Sequence, residues 1–109
     1  MPPENWVKVL KALADHHRLA LMRELLGTTR SVNELARKLD MTQYNVSKHL
    51  RVLWMTGLVV SKRDGTRKDY TVNPALVRAA GPAASAQLDL GCCSFDFEKP
   101  VTIPASTDS

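Results

Sequence analysis

SVNELARKLDMTQYNVSKHLRVLWMTGLVVSKRDGTRKDYTV, residues 31–72, decides the fold of this chain. It opens on Ser31 with Glu34 three residues later, the spacing of a capping box, in which hydroxyl and carboxylate satisfy backbone donors at a helix start. Val32, Leu35, Ala36 and Leu39 then recur at helical spacing and mark the inward face of a short helix. After Asp40-Met41, Thr42 caps a further helix that runs to about Met55, with Val46, Leu50 and Leu53 as its buried stripe and Gly57 at its end. The period then changes. Residues 58–63 and 66–72 read as two strands, and Asp64-Gly65 between them reads as a type I′ turn, which needs positive φ at both central positions. Two short helices joined by a tight turn and followed by a charged hairpin make a winged helix-turn-helix, so the fold class is mainly α with a small β-hairpin wing.

The flanks fit that centre. Trp6, Val9, Leu10 and Leu13 predict an amphipathic helix over 5–14; Asp15 caps a second helix with Leu19, Met22, Leu25 and Leu26 inward and Gly27 as its stop. Downstream, Asn73-Pro74 ends the second strand and opens a helix over Ala75–Ala80, which Gly81-Pro82 should end or kink. The expected organisation is a DNA-binding domain over 1–80, a C-terminal dimerisation and sensor segment over 81–97, irregular or β-like, and a flexible tail over 98–109.

A chain of 109 residues allows one small domain, for which dimerisation is a natural stabiliser. Its N-terminus lacks the features of a signal peptide and no apolar run approaches a membrane span, so a cytoplasmic, reduced protein with no membrane partner is expected. The net charge of +4 is unevenly spread. Residues 1–78 carry fourteen Lys and Arg against seven Asp and Glu, whereas 79–109 carry one Lys against four acids. A basic body with a mildly acidic tail points to a polyanion partner for the body. No nucleophile–base set or phosphate loop appears, so an enzyme is not expected.

In a helix-turn-helix the second helix enters the major groove with its N-terminal residues foremost. Here that end carries Thr42, Gln43, Tyr44, Asn45, Ser47, Lys48, His49 and Arg51. Gln and Asn suit adenine edges, Ser suits several base edges, and Lys48 and Arg51 suit phosphates. The wing tip adds Arg63, Arg67 and Lys68 for a neighbouring minor groove or its phosphates. His49 flanks the buried stripe, so a structural hydrogen bond is as good an expectation as a base contact. His16 and His17 open the second helix, where adjacent side chains diverge too far to share a metal ion.

Lys11-Ala-Leu-Ala-Asp15, Arg18-Leu19, Val46-Ser-Lys-His-Leu-Arg-Val-Leu53, Gly57-Leu-Val59 and Arg63-Asp-Gly-Thr66 followed by Tyr70 resemble the ArsR/SmtB family of small bacterial metalloregulatory repressors. The similarity covers about residues 5–78. It implies a homodimeric winged-helix repressor on double-stranded DNA with a palindromic operator, released by an inducer that is often a thiophilic or divalent metal ion. It also implies that Gln43, Asn45, Ser47, Lys48 and His49 lie on or beside the DNA-reading helix. The family's inducer sites do not transfer. Where one type has cysteines, this chain has Ser31-Val32-Asn33-Glu34. Where another has acids and histidines on a last helix, residues 74–90 hold no histidine. Trp54-Met55 stands where related sequences carry charge, an apolar pair that invites cover by the tail or a second subunit.

The remaining sensor residues are Cys92 and Cys93, inside LDLGCCSFDF, residues 88–97. Leu88, Leu90 and Cys92 share one parity; Cys93, Phe95 and Phe97 share the other. In a straight strand the two thiols would diverge. A bulge after Gly91 would bring them together and place all six apolar residues on one face. Three readings stay open for the pair: an inducer site for As(III), Sb(III) or another thiophilic ion, a redox-sensing disulfide, or core filler. A winged-helix protein-interaction module, using Trp54 and Phe95/Phe97 as its contact, is the rival to DNA binding.

Overall fold

The computed structural model describes residues 3–80, 85–91 and 93–98. Helices α1 (Pro3–Leu13) and α2 (His16–Leu25) meet at Asp15. The Asp15 carboxylate accepts from the backbone N–H groups of His17 and Arg18 at 2.9 and 3.0 Å, satisfying donors that a helix start leaves open. The inward stripes are shifted from those expected. In α1 the buried residues are Val9, Ala12 and Leu13, while Trp6, Val7 and Leu10 are exposed; in α2 they are Leu21, Met22 and Leu25, while Leu19 is exposed. Both helices carry apolar residues on more than one face, so spacing alone permits either rotation.

Strand β1 (Arg30–Ser31) leads directly into α3 (Val32–Lys38), and Ser31 ends one element while capping the next. The capping box is complete: Glu34 N–H donates to Ser31 Oγ, and Ser31 N–H donates to Glu34 Oε1, both at 3.2 Å. Helix α3 closes in a Schellman motif, with Met41 N–H on the Ala36 carbonyl and Asp40 N–H on the Arg37 carbonyl. Asp40 takes the left-handed position at φ +53°, a conformation that aspartate tolerates better than most residues. Thr42 then caps α4 (Gln43–Met55), its Oγ1 accepting from Asn45 N–H at 3.1 Å. The same closing motif recurs at Gly57 (φ +82°), where Leu58 N–H bonds the Leu53 carbonyl. The turn of the helix-turn-helix is therefore held by backbone bonds on its α3 side and by the Thr42 cap on its α4 side.

Strands β2 (Val59–Asp64) and β3 (Arg67–Val72) form the antiparallel wing, with β1 on the far edge of β3. The register pairs Asp64 with Arg67, which leaves Gly65-Thr66 as the two-residue loop. Of these two only Gly65 has positive φ, +63°. That is the pattern of a type II′ turn, one residue later than the expected Asp64-Gly65 turn.

The expected helix over Ala75–Ala80 does not form. Pro74–Leu76 make one 3₁₀ turn, opened by Asn73 Oδ1 accepting from Ala75 N–H, and the chain then enters β4 (Val77–Ala80). A six-residue helix has little stability of its own. Strand β5 (Ser85–Asp89) offers β4 an antiparallel ladder, and β6 (Ser94–Phe95) pairs with the other edge of β5. The expected break at Gly81-Pro82 lies outside the described residues, as do residues 99–109 of the expected tail. Leu88 faces Phe95 across the ladder, and Leu90 N–H donates to the Cys93 carbonyl at 2.9 Å. The change of apolar phase is thus a chain reversal after Gly91 (φ +85°) rather than a bulge. By register, Leu88, Leu90, Cys93 and Phe95 share one face of this sheet.

That face completes the core. Leu88 is fully buried in one cluster with Leu21, Leu25, Leu50 and Leu53, and Leu90, Phe95 and Phe97 pack against it. No described helix is long and apolar enough to cross a membrane. Leu88→Ala is expected to lower stability by about 2–5 kcal/mol in urea unfolding, the usual cost of emptying a buried leucine site; a change near zero would show that the second sheet does not support the helical core.

Candidate nucleic-acid interface

Val46, Leu50 and Leu53 are fully buried, which fixes the rotation of α4 about its axis. Thr42, Gln43, Tyr44, Asn45, Ser47, Lys48 and Arg51 are all exposed, so seven of the eight expected reading residues at this end face outward together. Tyr44, Ser47, Lys48, Arg51 and Trp54 line a groove of about 700 Å³ whose far wall is Val32, Lys68 and Tyr70. Gln43 belongs to an adjoining groove with Asn33, Arg37, Thr66 and Lys68. Helix and wing therefore share a continuous surface.

Arg67 also lines that adjoining groove, and the wing's alternation sets how its cations differ in their surroundings. Val59 and Val72 are buried partners, so Ser61 and Tyr70, then Arg63 and Lys68, follow on the same face. That face runs from the core at its base to two directly opposed cations at its tip. Like charges placed opposite each other destabilise a hairpin. Neither Arg63 nor Lys68 has an ion-pair partner among the described residues, and the Lys68 ammonium lies 5.5 Å from the Tyr70 ring centre. An isolated wing gains nothing from this pairing; a polyanion against it would.

Arg67 has the opposite parity and a different setting. Its Nη2 donates to Glu34 Oε1 and its Nε to Asp69 Oδ1, both at 2.7 Å. The Asp69 hydrogen bond and charge hold the guanidinium above its ordinary pKa. Glu34 in turn is held below the usual carboxylate range, first by the Ser31 N–H and then by the Ser31 hydroxyl, Arg67 and Arg30. Arg67 thus braces the wing against the start of α3.

His49 sits on the other flank of α4, half-buried against α2. Its Nδ1 is 3.3 Å from Arg18 Nη1 and its ring centre 5.5 Å from that of His17. Burial is the main cause of a pKa below the ordinary imidazole value. The structural contact expected for His49 is present. Trp54 and Tyr70 join the groove without belonging to the set expected from sequence. For Tyr70 the signal is its parity with Lys68 and Val72; for Trp54 it is the seven-residue step from Ser47 along one helix face. Cys93 is exposed on the return strand of the C-terminal hairpin, and Cys92 lies outside the described residues. Among the described residues, no three His, Cys, Asp or Glu side chains gather as a metal site.

Comparison with known proteins agrees with this geometry. A family described as a helix-turn-helix domain matches residues 13–61. The transcriptional activator HlyU of Vibrio cholerae serotype O1 is 36% identical over 73 residues, which span 67% of this chain and 68% of that protein. Its structure superposes with a TM-score of 0.62 at 34% identity, over 66% of this chain and 80% of that one. A probable mercury resistance operon repressor from Streptomyces lividans is 32% identical over 97 residues, covering 84% of this chain and 78% of the repressor. The homodimeric winged helix-turn-helix DNA-binding domain of a possible ArsR-family regulator from Mycobacterium bovis superposes with a TM-score of 0.63 at 32% identity, over 66% of this chain and 67% of that one.

Thr42 caps the reading end of α4. Thr42→Ala is expected to destabilise the protein by about 1 kcal/mol in urea unfolding, whereas Lys48→Ala, an exposed position, is expected to leave stability within about 0.5 kcal/mol of the parent.

Proposed function

The chain belongs to the ArsR/SmtB family of winged-helix transcriptional regulators, and on that premise we propose that it is a homodimeric repressor of a palindromic operator, released by a thiophilic ion. Its relatives are regulators of transcription and not enzymes. One observation carries the DNA-binding reading: the outward face of α4 and the cationic face of the wing tip form one surface, with Lys48, Arg51 and Lys68 around a single groove. Gln43, Tyr44, Asn45 and Ser47 read base edges; Lys48, Arg51, Arg63 and Lys68 neutralise phosphates. Arg67 keeps the wing at its angle and meets the backbone only if Glu34 gives it up.

A second copy covers the outer face of α1. Trp6, Val7 and Leu10 are each 40–49% exposed there, an apolar face that a solvent-facing helix does not need. Two such faces meeting across a two-fold axis pair two reading helices, and the operator's symmetry follows. The homodimeric state of the Mycobacterium bovis domain supports this arrangement.

Cys92 and Cys93 are the inducer ligands in this proposal. They are neighbours in the sequence, and soft ions such as arsenite prefer thiolates. The mercury resistance repressor among the relatives favours the same class of ion. Release is linkage: an ion that binds the DNA-free conformation more tightly weakens operator binding by that difference. A second reading, oxidation of the same thiols, draws on the structure of reduced HlyU, 35% identical with a TM-score of 0.61.

Two measurements test these readings. In a salt titration of duplex binding, Lys48→Ala and Lys68→Ala should each reduce the log–log slope by about 1 and weaken binding across sequences; unchanged slopes remove the assignment. Arsenite should release the parent from its duplex and leave the Cys92→Ser/Cys93→Ser variant bound. Equal release from both defeats the ion proposal, and release by peroxide alone, reversed by dithiothreitol, selects the redox reading.

A further inference from the structure

The last carbonyls of α1 have no partner within the helix. Arg18 supplies one: Nε donates to the Ala12 carbonyl at 2.6 Å and Nη2 to the Lys11 carbonyl at 3.4 Å. The same guanidinium reaches across to α4, where Nη1 stands 3.3 Å from His49 Nδ1. A guanidinium has donors and no acceptor. At this distance Nδ1 must therefore be the acceptor, so the neutral ring carries its proton on Nε2. A second proton has only Nδ1 to occupy. It would abolish the hydrogen bond and set two cations face to face.

We propose that Arg18 and His49 form a proton-sensitive joint that positions the recognition helix against the end of α1, and that operator affinity falls when His49 is protonated. The proposal rests on the DNA-binding reading above and adds a regulation of that same surface. His49 makes no base contact in it; it acts through the placement of α4, whose opposite flank reads the duplex. The joint also touches α1, whose exposed face is offered to the second subunit, so one ring links dimer geometry to the reading helix.

The surroundings favour the neutral ring. From α2 and its cap, His49 meets Arg18, His17 and Asp15; from α4 itself, Lys48; the α1 carbonyls are held by Arg18. Asp15 is the single carboxylate, and it is already engaged by the N–H groups of Arg18 and His17. Its carboxyl is held below the usual range, chiefly by the Arg18 N–H, so it stays ionised through the interval that matters. The His17 ring centre lies 5.5 Å from that of His49. Burial lowers the His49 pKa, Asp15 opposes this, and Arg18, His17 and Lys48 lower it further. The sign follows from the depressed value. The unfolded chain binds the proton more readily, so the stabilising contribution is present above the ordinary imidazole pKa and is lost as pH falls through the folded-state value.

The decisive variant is His49→Gln, whose side-chain carbonyl can accept from Arg18 but cannot take a proton. Duplex affinity of the full chain is measured from about pH 7.5 to about pH 5.0, across the ordinary imidazole value. The parent should weaken about tenfold, and His49→Gln by less than about threefold. Equal loss in parent and variant overturns the joint. Nitrogen-detected NMR of the parent imidazoles reads the site without any substitution: His49 should be the Nε2–H tautomer and titrate below the ordinary imidazole value. An Nδ1–H tautomer, or a His49 pKa at or above the ordinary imidazole value, also overturns it. A parent that binds no duplex even near pH 7.5 removes the DNA-binding reading instead, and with it the proposed regulation; the tautomer and a steeper acid loss of urea stability in the parent than in His49→Gln would still decide whether the joint exists.

Discussion

Everything functional in this molecule depends on three side chains of one helix being out of water. Val46, Leu50 and Leu53 are fully buried, and a helix with three such positions on one line has a single allowed rotation. Once that stripe is in the core, Tyr44, Ser47, Lys48 and Arg51 face the wing groove, and His49 is turned towards α2. The backbone closures on either side make the placement rigid. Asp40 in the left-handed region and Thr42 at the cap complete the turn before α4, and Gly57 completes the one after it. Hydrophobic burial thus decides the reading face, and capping decides where it begins and ends.

Electrostatics then divides the wing. Alternation puts Arg63 and Lys68 opposite each other on the face that continues from buried Val59 and Val72. It puts Arg67 on the other face, where Glu34 and Asp69 hold it. The three wing cations are equivalent by composition and different by parity. Two share one face without a carboxylate partner among the described residues; the third joins wing to α3. Exposed ion pairs contribute little stability individually, so the value of the Arg67 brace lies in its geometry, connecting the helix start that Ser31 and Glu34 form to the strand that carries Lys68.

Much of this was legible before any coordinates. The Ser31/Glu34 and Thr42 caps, the stop at Gly57 and the α4 stripe are short-range chemistry, and each stands where spacing and residue type put it. The outward set on α4 follows from the stripe. Less legible were elements whose residues allow two answers. Outside its stripe at Lys8 and Lys11, helix α1 has a broad apolar surface, so Trp6 and Leu10 could have faced inward as readily as Ala12. The wing turn contains glycine at either candidate register, and the Val59–Val72 pairing chose the later one. Residues 75–80 have passable helix formers but too few of them to stand alone, and the ladder with β5 made Val77–Ala80 a strand.

The C-terminal segment marks the boundary between the two sources of information. Alternation along LDLGCCSFDF recorded that the apolar phase changes at the cysteines, because side-chain parity is written into the order of residues. How the change is accomplished was not written there: a bulge and a hairpin satisfy the same pattern, and only the pairing of Leu88 with Phe95 selects the hairpin. The same holds for the site. Local order specifies the helices, their caps and the basic face, since these depend on neighbours within a turn or two. The Arg18–His49 contact spans 31 residues and the Arg67–Glu34 contact 33. Such contacts exist only once the core has brought distant elements together, because no periodicity in a sequence encodes which flank of one helix will meet which end of another.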